Sequence, residues 1–153
     1  MKDRYILLVE DNQDDVDLTL RAFKKNNIGN QTVVVRDGAE ALDFIFARGE
    51  FSRRDPSHIP IVILLDLNLP KIDGLKVLKA IRENPVTRLI PVVVLTTSKT
   101  EADIVNSYSM GANSFIQKPV DFKKFTEVVS NFGLYWLLIN EAVPKGVGSG
   151  DTP

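Results

Sequence analysis

Short apolar runs alternate along the chain with longer segments whose apolar residues recur at helical spacing. YILLV at residues 5–9 reads as a strand, with the acids Glu10 and Asp11 after it. Val16, Thr19, Leu20 and Phe23 then repeat at helical intervals among charged residues. NNIGN at residues 26–30 is a turn signal, and TVVV at 32–35 a second strand. Ala41, Leu42, Ile45 and Phe46 mark a second helix, which Asp37 is placed to cap. Residues 49–60 form a long polar connection with two prolines. IVILL at 61–65 is a third strand, apolar at every position. A third helix begins at Gly74 and stops near Asn84 and Pro85. PVVVL at 91–95 is the fourth strand, residues 100–108 read as helical, and 114–116 as a brief fifth strand. Phe122, Phe125, Val129, Phe132 and Trp136 stripe a last helix. Five strand–helix alternations, with strands apolar on both faces, predict a parallel sheet covered by helices on both sides. In such an α/β sheet, ligands sit beyond the carboxyl ends of the strands.

Composition narrows the chemistry. At 153 residues the chain suits one domain, 1–140, with a flexible Gly/Pro-rich tail at 141–153. A formal charge of -1 offers no basic face, so nucleic acid is not an expected partner. No cysteine is present, and His58 is the only histidine, which leaves no thiolate or multi-histidine metal site. No apolar run approaches the roughly 18 to 20 residues of a membrane helix, and the N-terminus lacks signal-peptide features. A cytoplasmic protein without a membrane partner is expected. No phosphate-cradling GxxxxGK loop occurs.

Four strand ends carry candidate chemistry. Glu10 and Asp11 follow the first strand, Asp66 ends the third, Thr96 the fourth, and Lys118 follows the fifth. Each has an ordinary reading as a cap, a turn or a surface residue; their joint occurrence on successive strand ends is the informative fact. Three carboxylates in one pocket require a counterion or shifted protonation. A donor set of oxygens alone favours a hard divalent ion, and magnesium fits because it uses few carboxylates and shares its remaining positions with phosphate. A carboxylate can be the nucleophile that forms an aspartyl-phosphate. Magnesium and the Lys118 ammonium would supply charge, and the Thr96 hydroxyl a hydrogen bond.

ILLVEDN, LLDLNLPKIDG, PVVVLTTS and GANSFIQKPV resemble, in order and spacing, the four signatures of bacterial response-regulator receiver domains. The resemblance implies a flavodoxin-like, doubly wound five-stranded sheet of strand order 2-1-3-4-5. It implies that Asp66 is the phosphoacceptor. Asp11 would ligate Mg2+ directly, Glu10 through water, and Asn68 through its backbone carbonyl. Thr96 and Lys118 match the phosphoryl-contacting hydroxyl and amine, Phe115 the aromatic switch position, and Pro119 the proline after a cis peptide bond. Asn68 and Ser98 match the positions that tune phosphoryl lifetime. The implied protein is a single-domain phosphorelay switch, not a turnover enzyme, phosphorylated by a sensor histidine kinase. The 49–60 connection, with DLNLPKIDG, LTTSKTEADI and KPVDFKKF, is similar to the stand-alone subfamily related to phytochrome-associated response regulators.

Other classes fit less well. Haloacid-dehalogenase-type phosphatases resemble the edge-of-sheet chemistry, but their second aspartate is replaced here by Asn68, and no cap domain is apparent. A degenerate, purely binding receiver is opposed by the full set of Glu10, Asp11, Asp66, Thr96 and Lys118. A transcription factor fails on the short tail, so output is expected through contacts with a downstream protein. From Gly133 onward the last helix is apolar nearly all round, and Leu134, Tyr135 and Leu138 form the expected patch of a homodimer, the alternative being that this turn packs onto its own domain beside the 49–60 connection.

Overall fold

The structure, a computed structural model, describes residues 4–96, 114–117 and 123, with Thr96 and 114–117 described through the backbone alone. Its strands are β1 (Tyr5–Val9), β2 (Gln31–Val35), β3 (Val62–Asp66), β4 (Val92–Thr96) and β5 (Ser114–Gln117). Its helices are α1 (Gln13–Lys25), α2 (Gly38–Ile45) and α3 (Gly74–Glu83). The five strands are parallel in the order β2-β1-β3-β4-β5, as the resemblance implies. The helices expected at 100–108 and 122–136, and the tail at 141–153, lie outside the described residues.

The central strands β1 and β3 are buried at every position, while β2, at an edge, buries only Val35. One face of the sheet presents Leu7, Val9, Ile63, Leu65, Val92 and Val94. Against it pack Ala41, Phe44 and Ile45 of α2 and Val77, Leu78 and Ile81 of α3. Each large aliphatic side chain buried in this way contributes about 1.5–3 kcal/mol. Ile6, Leu8, Val62, Leu64, Val93 and Leu95, which alternate with the first set, are buried as well. β4 begins at Val92, one residue later than the apolar run suggests. Proline has no N–H to give the ladder, so Pro91 contributes only its carbonyl, which accepts from Ile63 at 2.9 Å.

Local signals set the helix ends. Asp37 caps α2 as expected, its Oδ1 accepting from the Glu40 N–H at 2.7 Å. Glu40 returns a bond, accepting from the Arg36 N–H at 2.8 Å. After Phe46, Ala47 takes a left-handed φ of 54°, and the Arg48 N–H reaches back to the Asp43 carbonyl at 2.8 Å. Asp73 caps α3. The sheet unit takes in residues 1–17 and 30–120; residues 18–29 belong to a second compact unit, with residues 121–153. There α1 closes with Asn27 left-handed at φ 58° and the Ile28 N–H bonded to the Phe23 carbonyl.

The 49–60 connection opens with a 3-10 turn, Gly49–Phe51. Arg54 holds it to the sheet: its guanidinium lies 4.1 Å from the Phe44 ring centroid and donates to the Tyr5 hydroxyl at 2.7 Å and the His58 carbonyl at 2.6 Å. The Tyr5 hydroxyl donates to that same carbonyl at 2.7 Å, and the His58 ring meets Tyr5 edge-on at 5.0 Å.

Candidate functional site

Parallel pairing brings the acids together. Val9 stands opposite Leu65 in the register, so Glu10 and Asp66 are the next residues of neighbouring strands. Carboxylate oxygens of Glu10, Asp11 and Asp66 all lie within 4.8 Å of one another. Glu10 and Asp66 are only 1% and 3% exposed, whereas Asp11 opens to solvent. At that separation a pair of carboxylates repels by about 3 to 4 kcal/mol in an effective dielectric near 20, and less for the exposed Asp11.

The backbone orients the two buried carboxylates. The Asn12 N–H donates to Glu10 Oε2 at 3.2 Å, and the Asn68 N–H to Asp66 Oδ1 at 2.9 Å. Asn12 also caps α1, its side-chain oxygen accepting from the Asp15 N–H at 3.1 Å. Sequence reasoning did not single out Asn12. Its signal was an Asn directly before a helical repeat with acids in the first turn.

Gly74 lets α3 start against this edge. A Cβ on Gly74 would stand 2.5 Å from the Asp66 carbonyl oxygen and 2.6 Å from the Leu67 Cα, so no larger residue fits without moving the chain at Asp66. The Gly74 N–H closes the loop by donating to the Leu67 carbonyl at 3.0 Å.

Thr96 ends β4 one residue beyond Leu95, the register partner of Asp66, and pairs with Gln117, the last residue of β5. Phe115 lies in β5 opposite Val94. The side chains of Thr96 and Phe115, together with Lys118, Pro119, Ser98, Leu134, Tyr135 and Leu138, lie outside the described residues. The structure therefore assembles Glu10, Asp11 and Asp66 in space, sets Asn68 on the loop beside them, and carries the backbone of Thr96 to the same edge.

Chemically, the donor set among the described residues is three carboxylates with no histidine or cysteine, which fits a hard divalent cation. Among the described residues no helix is long and apolar enough to cross a membrane.

Comparison with known proteins points the same way. The profile of the response regulator receiver domain matches residues 6–130. The chain is 40% identical over 134 residues to the response regulator Rcp1 of Synechocystis sp., covering 88% of this chain and 89% of that protein. The phosphorylated cyanobacterial phytochrome response regulator RcpA superposes with a TM-score of 0.78 at 40% identity, over 88% of this chain and 94% of that one. The Mn(2+)-bound form of response regulator Rcp1 gives the same TM-score, identity and coverage.

Proposed function

The chain belongs to the response regulator receiver domain family and works in two-component phosphorelay signalling, and from that premise we propose that Asp66 is its phosphoacceptor. The observation that carries this reading is the buried Asp66 carboxylate at a strand end, within 4.8 Å of the oxygens of Glu10 and Asp11. An Asp66 oxygen attacks the phosphorus of a phosphohistidine on the sensor kinase. The P–O bond forms as the P–N bond breaks, and the departing imidazole takes a proton from solvent. Asp11, Asp66 and the Asn68 carbonyl would hold Mg2+, with Glu10 acting through water. When bound, the ion supplies positive charge against the phosphoryl oxygens and offsets the carboxylate repulsion. Thr96 and Lys118 contact the phosphoryl group, Phe115 turns inward in response, and Asn68 and Ser98 set how fast water removes the group.

Residues 1–140 form the receiver on this reading, with helices on both faces of the sheet. The burial of Leu8 and Leu64, on the face that α2 and α3 leave, supports that arrangement. The protein acts in the cytoplasm, catalyses only its own phosphorylation and dephosphorylation, and signals by contact with a downstream protein. The similarity to a cyanobacterial phytochrome response regulator supports a phytochrome-like kinase as the donor. Leu134, Tyr135 and Leu138 form the homodimer contact.

Intact mass after incubation with acetyl phosphate and Mg2+ tests the reading. The native chain is expected to gain one phosphoryl group and Asp66→Asn none. A phosphoryl gain by Asp66→Asn under the same conditions rules Asp66 out.

A further inference from the structure

The loop from Leu67 to Asp73 carries Asn68 away from Asp66, and its far side rests on the start of α2. The Pro70 carbonyl accepts from the Gly38 N–H at 3.3 Å and from the Ile72 N–H at 2.9 Å. The second bond closes a three-residue γ-turn around Lys71, whose φ of 68° lies in the left-handed region that side chains disfavour. A residue in such a conformation persists only where its surroundings hold it. Here the surroundings are Asp37 and Gly38. The Lys71 ammonium pairs with Asp37 Oδ2 at 3.5 Å, although its exposed position makes the pair weak. Gly38 is buried, and its Cα lies so close to the Ile72 backbone that an added Cβ would overlap the Ile72 carbonyl oxygen.

We propose that Gly38 is a positioning residue for the metal site: its bare Cα and its N–H fix the Pro70–Ile72 turn, and through it the segment carrying Asn68 beside Asp66. Gly38 touches neither metal nor phosphoryl group. It acts by setting where the loop stands before the ion arrives, which is the pre-organisation that tight binding of a small, geometrically demanding cation requires. The proposal rests on the reading of Glu10, Asp11, Asp66 and Asn68 as the metal site.

The test is Mn2+ affinity of the full chain, followed by electron paramagnetic resonance of the free ion, in the native protein, Gly38→Ala and Ala41→Gly. Ala41→Gly weakens the same helix from its core face and leaves the Gly38 approach to Ile72 as it is. Gly38→Ala is expected to bind Mn2+ at least tenfold more weakly and to shift the Asn68 amide resonance in the metal-free protein. Ala41→Gly is expected to keep native affinity and the native Asn68 resonance. Folded Gly38→Ala with native affinity overturns the proposal, and so does an equal loss in both variants, which would reflect helix stability alone. If Gly38→Ala does not fold, a backbone ester in place of the Gly38 amide removes the N–H that donates to the Pro70 carbonyl and leaves the Cα bare: at least a threefold loss is expected, and native affinity overturns the proposal. A native protein that binds no Mn2+ overturns the underlying metal-site reading instead.

Discussion

Asp66 and Glu10 are held in the low-dielectric end of a parallel sheet, each with a backbone N–H on one carboxylate oxygen. Asparagine at position 66 keeps an oxygen that can accept from Asn68, removes the charge and replaces the second carboxylate oxygen with an NH2 group. Asp66→Asn is therefore expected to raise the stability of the metal-free protein by about 1 to 3 kcal/mol, because repulsion within the cluster is relieved. Urea denaturation with a chelator present measures it. The same substitution and Asp11→Asn are both expected to weaken Mg2+ binding in titration calorimetry, and unchanged affinity in Asp11→Asn counts against the site. A second residue-scale expectation concerns Ala47, whose left-handed φ of 54° costs about 1 kcal/mol that glycine avoids. Ala47→Gly should raise the denaturation midpoint by a corresponding amount, and a lower midpoint would mean that the Ala47 methyl contributes packing instead. At this scale the sequence was informative where a residue's placement follows from its chain position. Glu10, Asp11 and Asp66 stood at strand ends, and Asp37 stood before a helical repeat. Roles that depend on contacts across the fold were not legible: nothing in a local window says that Gly38 meets Ile72 or that Gly74 meets Asp66.

Among the elements, the strands were the most legible, because β1 and β3 are buried on both faces and their apolar runs are unbroken. Their boundaries moved by a residue where backbone chemistry outweighs side-chain polarity, as at Pro91. The 49–60 connection was legible only as length and polarity. Its order comes from Arg54, which spans from the loop to Tyr5 and Phe44. Arg54→Ala should cost about 1 to 2 kcal/mol and speed hydrogen exchange in the turns at residues 51–58. Unaltered exchange there would show that the loop is held without Arg54. The variant also has a signature at alkaline pH. Burial raises the Tyr5 pKa above its ordinary value of 10.0, while the hydrogen bond and charge of Arg54 draw it down. The neutral phenol is thus favoured by the fold. Its stabilisation is complete below about pH 10 and is lost as pH rises through the higher folded value. Without Arg54 the Tyr5 ring should titrate still higher by nuclear magnetic resonance; a fall would contradict the assigned contact.

For the whole molecule, the topology concentrates charge chemistry at one edge: the acidic cluster after β1 and β3, the end of β4, and the end of β5 next to Lys118 in the chain. The proposed homodimer is a separate matter, resting on the apolar run at Leu134, Tyr135, Leu137 and Leu138. Analytical ultracentrifugation of the native chain should show a dimer, strengthened by phosphorylation, and Tyr135→Asp should favour monomer because it would bury an unpaired charge in the contact. A native chain that stays monomeric at high concentration, with and without phosphoryl on Asp66, removes the dimer.

On the proposed reading, signalling depends on one covalent bond at Asp66, and its location can be read by chemistry specific to acyl phosphates. After phosphorylation with acetyl phosphate and Mg2+, borohydride reduces an aspartyl-phosphate to homoserine, which peptide mass spectrometry locates. Homoserine at position 66, absent when Mg2+ is chelated beforehand, is the expected result. Homoserine at another position, or none in a chain that has gained phosphoryl mass, would contradict the assignment of Asp66.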